Sequence, residues 1–310
     1  MNTARTSGVP SRRPLGEALA EGTVLLDGGL SNQLEAQGCD LSDALWSARL
    51  LADAPQQIEA AHTAYARAGA QVLITASYQA TFEGFGRRGI GRARAAELMA
   101  GSVEWARRAG EVTGRDQWVA ASIGPYGAML ADGSEYRGGY GLSVRELERF
   151  HRPRAEALAE AGPDVLALET VPDIDEAEAL LRVVEGLGVP VWLSYSVADG
   201  RTRAGQPLEE AFGLVAGMHQ VVAVGVNCCD PADADPAVEA AAATGKPVVV
   251  YPNSGERWDT SARRWTGSST FAAGRVRDWQ RAGARLIGGC CRVGPREIEE
   301  LAGRVVRPGA

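Results

Sequence analysis

The sequence predicts a single-domain (β/α)8 barrel of the TIM type within the α/β class. Three observations carry that expectation: eight short apolar runs, helical stretches alternating with them throughout, and no GxGxxG after the first run. Runs that are apolar at nearly every position fit strands buried on both faces, as in a parallel sheet wrapped by helices. A doubly wound open sheet is the alternative, and the count of eight favours the closed form.

In chain order the candidate strands are residues 23–30, 71–78, 118–125, 165–171, 190–197, 221–229, 247–254 and 285–291. Each is rich in Val, Ile or Leu and bounded by Gly or Pro. Apolar residues at helical spacing mark 55–68, 92–108, 144–161, 174–187 and 270–282. Ser143 with Glu146 makes an S-x-x-E capping box, and Gly69, Gly110, Gly162, Gly188, Gly245 and Gly283 stand where helices should stop. Pro153 should kink or divide its helix. The connections 126–142 and 255–269 are longer than a barrel needs and follow C-terminal strand ends, so they are expected to be lids or substrate-binding loops.

With 45% hydrophobic and 23% charged residues among 310, the chain can bury a large core. Residues 1–14 are polar and basic and read as a flexible tail, which leaves 15–310 for the barrel domain. A net charge of -7 opposes a nucleic-acid groove or an anionic membrane surface, since both need a concentrated positive field. No apolar run approaches the roughly 20 residues of a membrane span. A small-molecule substrate and a cytoplasmic location are therefore expected, with no nucleic-acid or membrane partner.

The strand ends carry the chemistry. They read Asp27-Gly28-Gly29, Glu169-Thr170, Asn227-Cys228-Cys229, Asn253-Ser254 and Gly288-Gly289-Cys290-Cys291, and in a barrel all of these converge on one rim. Four of the five cysteines form adjacent pairs, which close disulfides only with strain, so metal binding or redox chemistry is the better reading. Strands six and eight are separated by one strand, so a single ion can bridge their ends. Three thiolates with one open position is the pattern of a reactive zinc centre, and soft sulfur ligands select zinc over hard cations. His62, His151 and His219 fall in helical stretches, where solvated or partly buried side chains are expected. A zinc hydrolase, with water in the open position, is a second reading, although hydrolytic sites usually keep histidine or carboxylate ligands.

The strings LLDGGLSNQLEAQG, ITASYQATFEGF, ASIGPYGA, LALETVP, GVNCC, YPNSGE and GGCCR resemble the homocysteine S-methyltransferase family from Leu25 to Arg292. LWSARLL and ITASYQATFEGF look most like its S-methylmethionine-dependent branch. The resemblance implies a zinc cofactor held by Cys228, Cys290 and Cys291, with Cys229 outside the set as a packed thiol. It implies that Asp27 and Glu169, aided by the backbone at Gly28 and Gly29, hold the amino-acid end of homocysteine, and that Trp46 lies near the donor. Asn253, at the end of strand seven, is a further substrate-binding candidate. The implied partners are homocysteine and a sulfonium methyl donor: S-methylmethionine, or alternatively S-adenosylmethionine. Relatives that use betaine carry tyrosine where this chain has Thr170, which weakens a betaine assignment.

The chemistry of such a site follows from its charges. A free thiol, with a pKa of about 8.5, is mostly protonated near neutral pH, whereas a metal-coordinated thiol is deprotonated outright. In displacement from a sulfonium, opposite charges neutralise and a neutral sulfide leaves, so no general acid is needed and alignment becomes the main task.

Overall fold

Strands that are apolar on both faces need two separate packing partners, and a closed barrel supplies one inside and one outside. The computed structural model describes residues 13–42, 45–115, 117–259, 264–271 and 273–305, with the side chains of Trp46, 257–259 and 264–265 outside that description. Eight parallel strands form the main sheet among these residues: β1 (Val24–Leu25), β2 (Val72–Ile74), β3 (Trp118–Ile123), β4 (Val165–Val171), β5 (Val191–Tyr195), β6 (Val221–Asn227), β7 (Val248–Tyr251) and β8 (Ala284–Ile287). Consecutive strands pair from β2 to β8, and β8 pairs with β1. A parallel bridge between Leu26 and Val72 closes the ring, supported by Gln71 N donating to Leu25 O at 2.7 Å.

Alternate strand residues enter two cores. Val24, Val72, Ala120, Ala167, Trp192, Ala223, Val249 and Leu286 fill the barrel interior, while Leu73, Val119, Leu166, Leu193, Val224, Val250 and Ile287 face the helices. The helix Leu15–Glu21 contributes Leu15, Ala18 and Leu19 to the inner cluster, so it plugs one end of the barrel. Of the expected tail, residues 1–12 lie outside the described residues, and the Arg13 carbonyl accepts from Trp118 Nε1 at 2.8 Å. No helix among the described residues is long and apolar enough to cross a membrane.

The helix Pro55–Ala68 and strand β4 match the expected spans, and the Ser143–Glu146 capping box is present. Other strands are shorter than expected at their C-terminal ends. The first, expected over 23–30, ends at Leu25, and its last expected residue, Leu30, opens the helix Leu30–Ala36. Gly110 does not end its helix, which runs Arg92–Glu111; a Cβ there would stand 2.5 Å from Gln117 Oε1, so the glycine makes room for that side chain.

Pro153 does not divide its helix either, which is continuous over Val144–Glu160. The carbonyl its ring leaves without an N–H belongs to exposed Arg149, where water can serve. On the inner face Arg154 donates to Gly124 O and to His151 Nδ1, and His151 Nε2 lies 2.8 Å from Glu176 Oε1. The histidines thus depart from expectation: His62 and His151 are fully buried, and His219 is exposed in a turn. Burial, reinforced for His151 by the Arg154 charge, lowers the pKa of both buried rings and favours their neutral form.

Candidate active site

Cys228 follows directly on β6 with a positive φ of 52°, a conformation that costs a non-glycine residue roughly 1 kcal/mol. Neighbouring backbone holds it there: Cys228 N donates to Tyr251 O at 3.2 Å, and Ser196 Oγ donates to Cys228 O at 3.2 Å. After β8, Gly288 and Gly289 lead into Cys290 and Cys291. A Cβ on Gly289 would lie 2.2 Å from Val293 Cγ1, so only glycine lets the chain turn the cysteines into the barrel mouth. Cys290 N then donates to Pro252 O at 2.8 Å, and Cys291 N to Asn253 Oδ1 at 3.1 Å.

The three sulfurs converge as expected. Cys228 Sγ is 3.1 Å from Cys290 Sγ and 3.7 Å from Cys291 Sγ, and all three lie within 4.8 Å of one another. This is a donor set that can hold a metal ion. Hydrogen bonds from Cys228 and Cys290 pull the Cys291 thiol well below the ordinary thiol range. Cys229 is fully buried in the outer apolar layer and takes no part, and all five cysteines are free.

Beside the sulfurs lies a cleft whose walls include Gly28, Gly29, Glu169, Tyr78, Tyr136 and Tyr251. Glu169 is 6% exposed. Its Oε1 accepts from Ser122 Oγ and its Oε2 from Tyr251 OH at 2.9 Å, while Trp192 Nε1 donates to that same tyrosine oxygen at 3.1 Å. Burial lifts the Glu169 pKa to about 7, against the opposing pull of these two hydroxyls. The next residue, Thr170, has φ 59° and is locked by Asn227, which accepts from Thr170 N at 2.7 Å and donates to Thr170 Oγ1 at 2.8 Å.

Asp27 and Asn253 sit behind the cleft wall instead of lining it. Asp27 Oδ2 accepts from Ile74 N at 2.8 Å, standing in for a strand carbonyl where β1 stops, and its buried Oδ1 has no hydrogen-bond partner. Burial, and next to it the Glu169 charge, raises the Asp27 pKa well above the carboxylate range. Asn253 spends its Oδ1 on Cys291 N, so it acts on the site through that cysteine. The side chain of Trp46 lies outside the described residues; the adjacent Ser47 lines the cleft.

Sequence reasoning missed the tyrosines. Tyr251 carried a readable signal, since the alternation that sends Val249 inward sends Tyr251 inward too. Tyr136 carried none. It arrives on the 126–142 connection, which holds the helix Tyr126–Leu130 and the turn Ser134–Tyr136, and through Tyr136 this loop reaches the cleft wall. The 255–269 connection forms a hairpin of Arg257–Asp259 with Arg264–Thr266, and none of its described residues lines the cleft.

Comparison with known proteins agrees with this geometry. Residues 24–305 match the family model described as homocysteine S-methyltransferase. Homocysteine S-methyltransferase YbgG of Bacillus subtilis (strain 168) is 44% identical over 294 residues, covering 90% of this chain and 93% of the relative. Homocysteine S-methyltransferase of Escherichia coli (strain K12) is 45% identical over 293 residues, covering 91% and 94%. The crystal structure of the metallated form of the homocysteine methyltransferase MmuM from Escherichia coli superposes with a TM-score of 0.85 at 44% identity, covering 94% of this chain and all of that one.

Proposed function

Because this chain belongs to the homocysteine S-methyltransferase family, we propose that it moves a methyl group from S-methylmethionine to the sulfur of homocysteine, with a zinc ion held by Cys228, Cys290 and Cys291. Methyl transfer to homocysteine follows from the family; the metal, the donor and the residue roles are our reading. The observation that carries it is the meeting of three sulfurs from two strand ends at one cleft.

The donor set fits zinc. Zn–S bonds of about 2.3 Å put tetrahedral sulfurs about 3.8 Å apart, and the contacts at 3.1 and 3.7 Å need only a small opening to reach that. A zinc ion held by Cys228, Cys290 and Cys291 would favour the thiolate form of a coordinated homocysteine, the nucleophilic form at neutral pH. The protein's own residues then orient the reactants. Glu169, facing the cleft, pairs with the homocysteine ammonium, and the unpartnered Oδ1 of Asp27 offers a second acceptor behind it. Gly28 and Gly29 give the substrate a wall without side chains. Asn253 fixes Cys291 through its backbone N–H.

In the transfer itself a new bond forms between homocysteine sulfur and the methyl carbon. The donor's sulfur–methyl bond breaks, its electron pair stays on the donor sulfur, and two molecules of methionine result from S-methylmethionine. No proton has to reach the leaving group. The cleft lining suits a cationic donor, since among the described residues it contains Glu169, three cysteines and three tyrosine rings but no Lys, Arg or His. Tyr136 brings its loop to the cleft wall, and we infer that a compact donor is preferred, with S-adenosylmethionine the poorer substitute. The lack of histidine at the cleft also argues against a hydrolase, whose zinc normally has nitrogen or oxygen ligands. Unprotected thiols survive best where the surroundings are reducing, which supports a cytoplasmic location.

A panel of donors at fixed homocysteine tests the reading. S-methylmethionine should turn over fastest, S-adenosylmethionine more slowly, and betaine or a methylfolate not at all; efficient use of either of the last two would overturn the donor assignment. Trp46→Leu in the same panel should weaken S-methylmethionine use while zinc content stays normal.

A further inference from the structure

The 126–142 loop is tied down along its length. Tyr126 N donates to Glu176 Oε1 at 2.5 Å, Gln79 Nε2 donates to Ala128 O at 3.0 Å, and Gly139 N donates to Asp173 Oδ2 at 2.9 Å. Within the loop a Cβ on Gly127 would lie 2.4 Å from Glu135 N, so its two halves pack backbone to backbone. The outcome of this construction is one contact: Tyr136 OH stands 3.3 Å from Cys228 Sγ.

A second module supports the same pair. The Arg203 guanidinium lies 5.5 Å from the centre of the Tyr136 ring, and Arg203 Nε donates to Ser196 Oγ at 3.0 Å. Ser196 in turn donates to Cys228 O at 3.2 Å. Cys228 is therefore held at its carbonyl and at its sulfur by groups that meet on one arginine.

A thiolate that ligates a metal has no proton to offer, so the only hydrogen between these two atoms is that of the tyrosine hydroxyl. We propose that Tyr136 is a positioning residue of the metal centre: its hydroxyl donates to the Cys228 sulfur, draws charge from that thiolate, and so sets how strongly the sulfur gives electrons to the ion. The inference rests on the three-cysteine zinc reading above and adds a residue to it. Groups that hydrogen-bond to metal ligands orient them and tune the metal, and their removal typically changes metal affinity or activity by about 10- to 100-fold.

The test uses the full-length protein and Tyr136→Phe, which keeps the ring over Arg203 and removes only the hydroxyl. Cobalt(II) loaded in place of zinc reports thiolate donation through its sulfur-to-cobalt absorption band, and a chromophoric chelator reports affinity. The parent should show the band, and the variant should show it displaced, with metal affinity changed by about 10-fold or more and the melting temperature of the metal-free protein unchanged. A variant with the parent's band and affinity would refute the role of Tyr136 and leave the three-cysteine centre standing. A lower metal-free melting temperature with an unmoved band would also refute it, showing a hydroxyl that merely braces the loop. A parent without any thiolate band would overturn the zinc reading and this inference together.

Discussion

Glu169→Gln should make the metal-free protein more stable as the pH rises, relative to the parent. Burial raises the Glu169 pKa from its ordinary 4.5 to about 7. At about 1.4 kcal/mol per pH unit, keeping the charged form in the fold costs about 3 kcal/mol. The sign follows from proton counting. Between pH 4.5 and about 7 the folded state binds more protons at this site than the unfolded state does, so stability falls through that window and stays lower above it. Glutamine does not titrate and escapes the loss. Urea unfolding of both proteins at pH 5, 6, 7 and 8 should therefore show the difference moving in the variant's favour by about 2.5 kcal/mol across the series, since part of the loss is already present at pH 5. Parallel curves, with a constant difference at every pH, would refute the idea that the fold carries a strained charge here. The same variant should retain zinc and lose productive use of homocysteine if, as proposed, this carboxylate pairs with the substrate ammonium.

Two further substitutions probe the scaffold. Asn227→Ala strips Thr170 N and Thr170 Oγ1 of their partners and leaves φ 59° unsupported, so denaturant titration should show a loss of about 1–3 kcal/mol for each buried group left unpaired, and turnover should fall with it. Gly289→Ala drives a Cβ to within 2.2 Å of Val293 Cγ1, so the melting curve should shift down by the equivalent of at least 1–3 kcal/mol and zinc content should drop as Cys290 and Cys291 move.

The barrel and its sulfur centre were legible in the sequence for definite reasons. Strand β4 is apolar without a break from Val165 to Leu168 before its polar end at Glu169-Thr170, and Pro55–Ala68 repeats apolar residues on one helical face, so both spans were readable. Two cysteine pairs at the ends of nearby strands pointed to a shared ion because a barrel brings alternate strand ends to one rim. What escaped was whatever depends on how loops travel. The path that brings Tyr136 to Cys228 is set by Asp173 and Glu176 at the start of one helix and by Gln79 in the turn after β2, and no spacing in the chain encodes it. Asn253 looked like a substrate-facing residue because of its position at a strand end, yet its side chain turns to the Cys291 backbone. The second long connection looked like the first, and only the fold separates the loop that reaches the cleft wall through Tyr136 from the one whose described residues do not line it. Gly110 falls one residue short of its helix end, where packing against Gln117 requires a glycine, and Pro153 does not divide its helix because the carbonyl it leaves without a donor belongs to exposed Arg149.

The account's central claim is that Cys228, Cys290 and Cys291 together hold one zinc ion and that Cys229 does not. Metal analysis of the purified parent, Cys228→Ala, Cys290→Ala, Cys291→Ala and Cys229→Ala, paired with homocysteine methylation rates, tests it most directly. The parent and Cys229→Ala should carry one zinc per chain and turn over, while the other three lose most of both. Stoichiometric zinc and normal turnover in Cys290→Ala would contradict it.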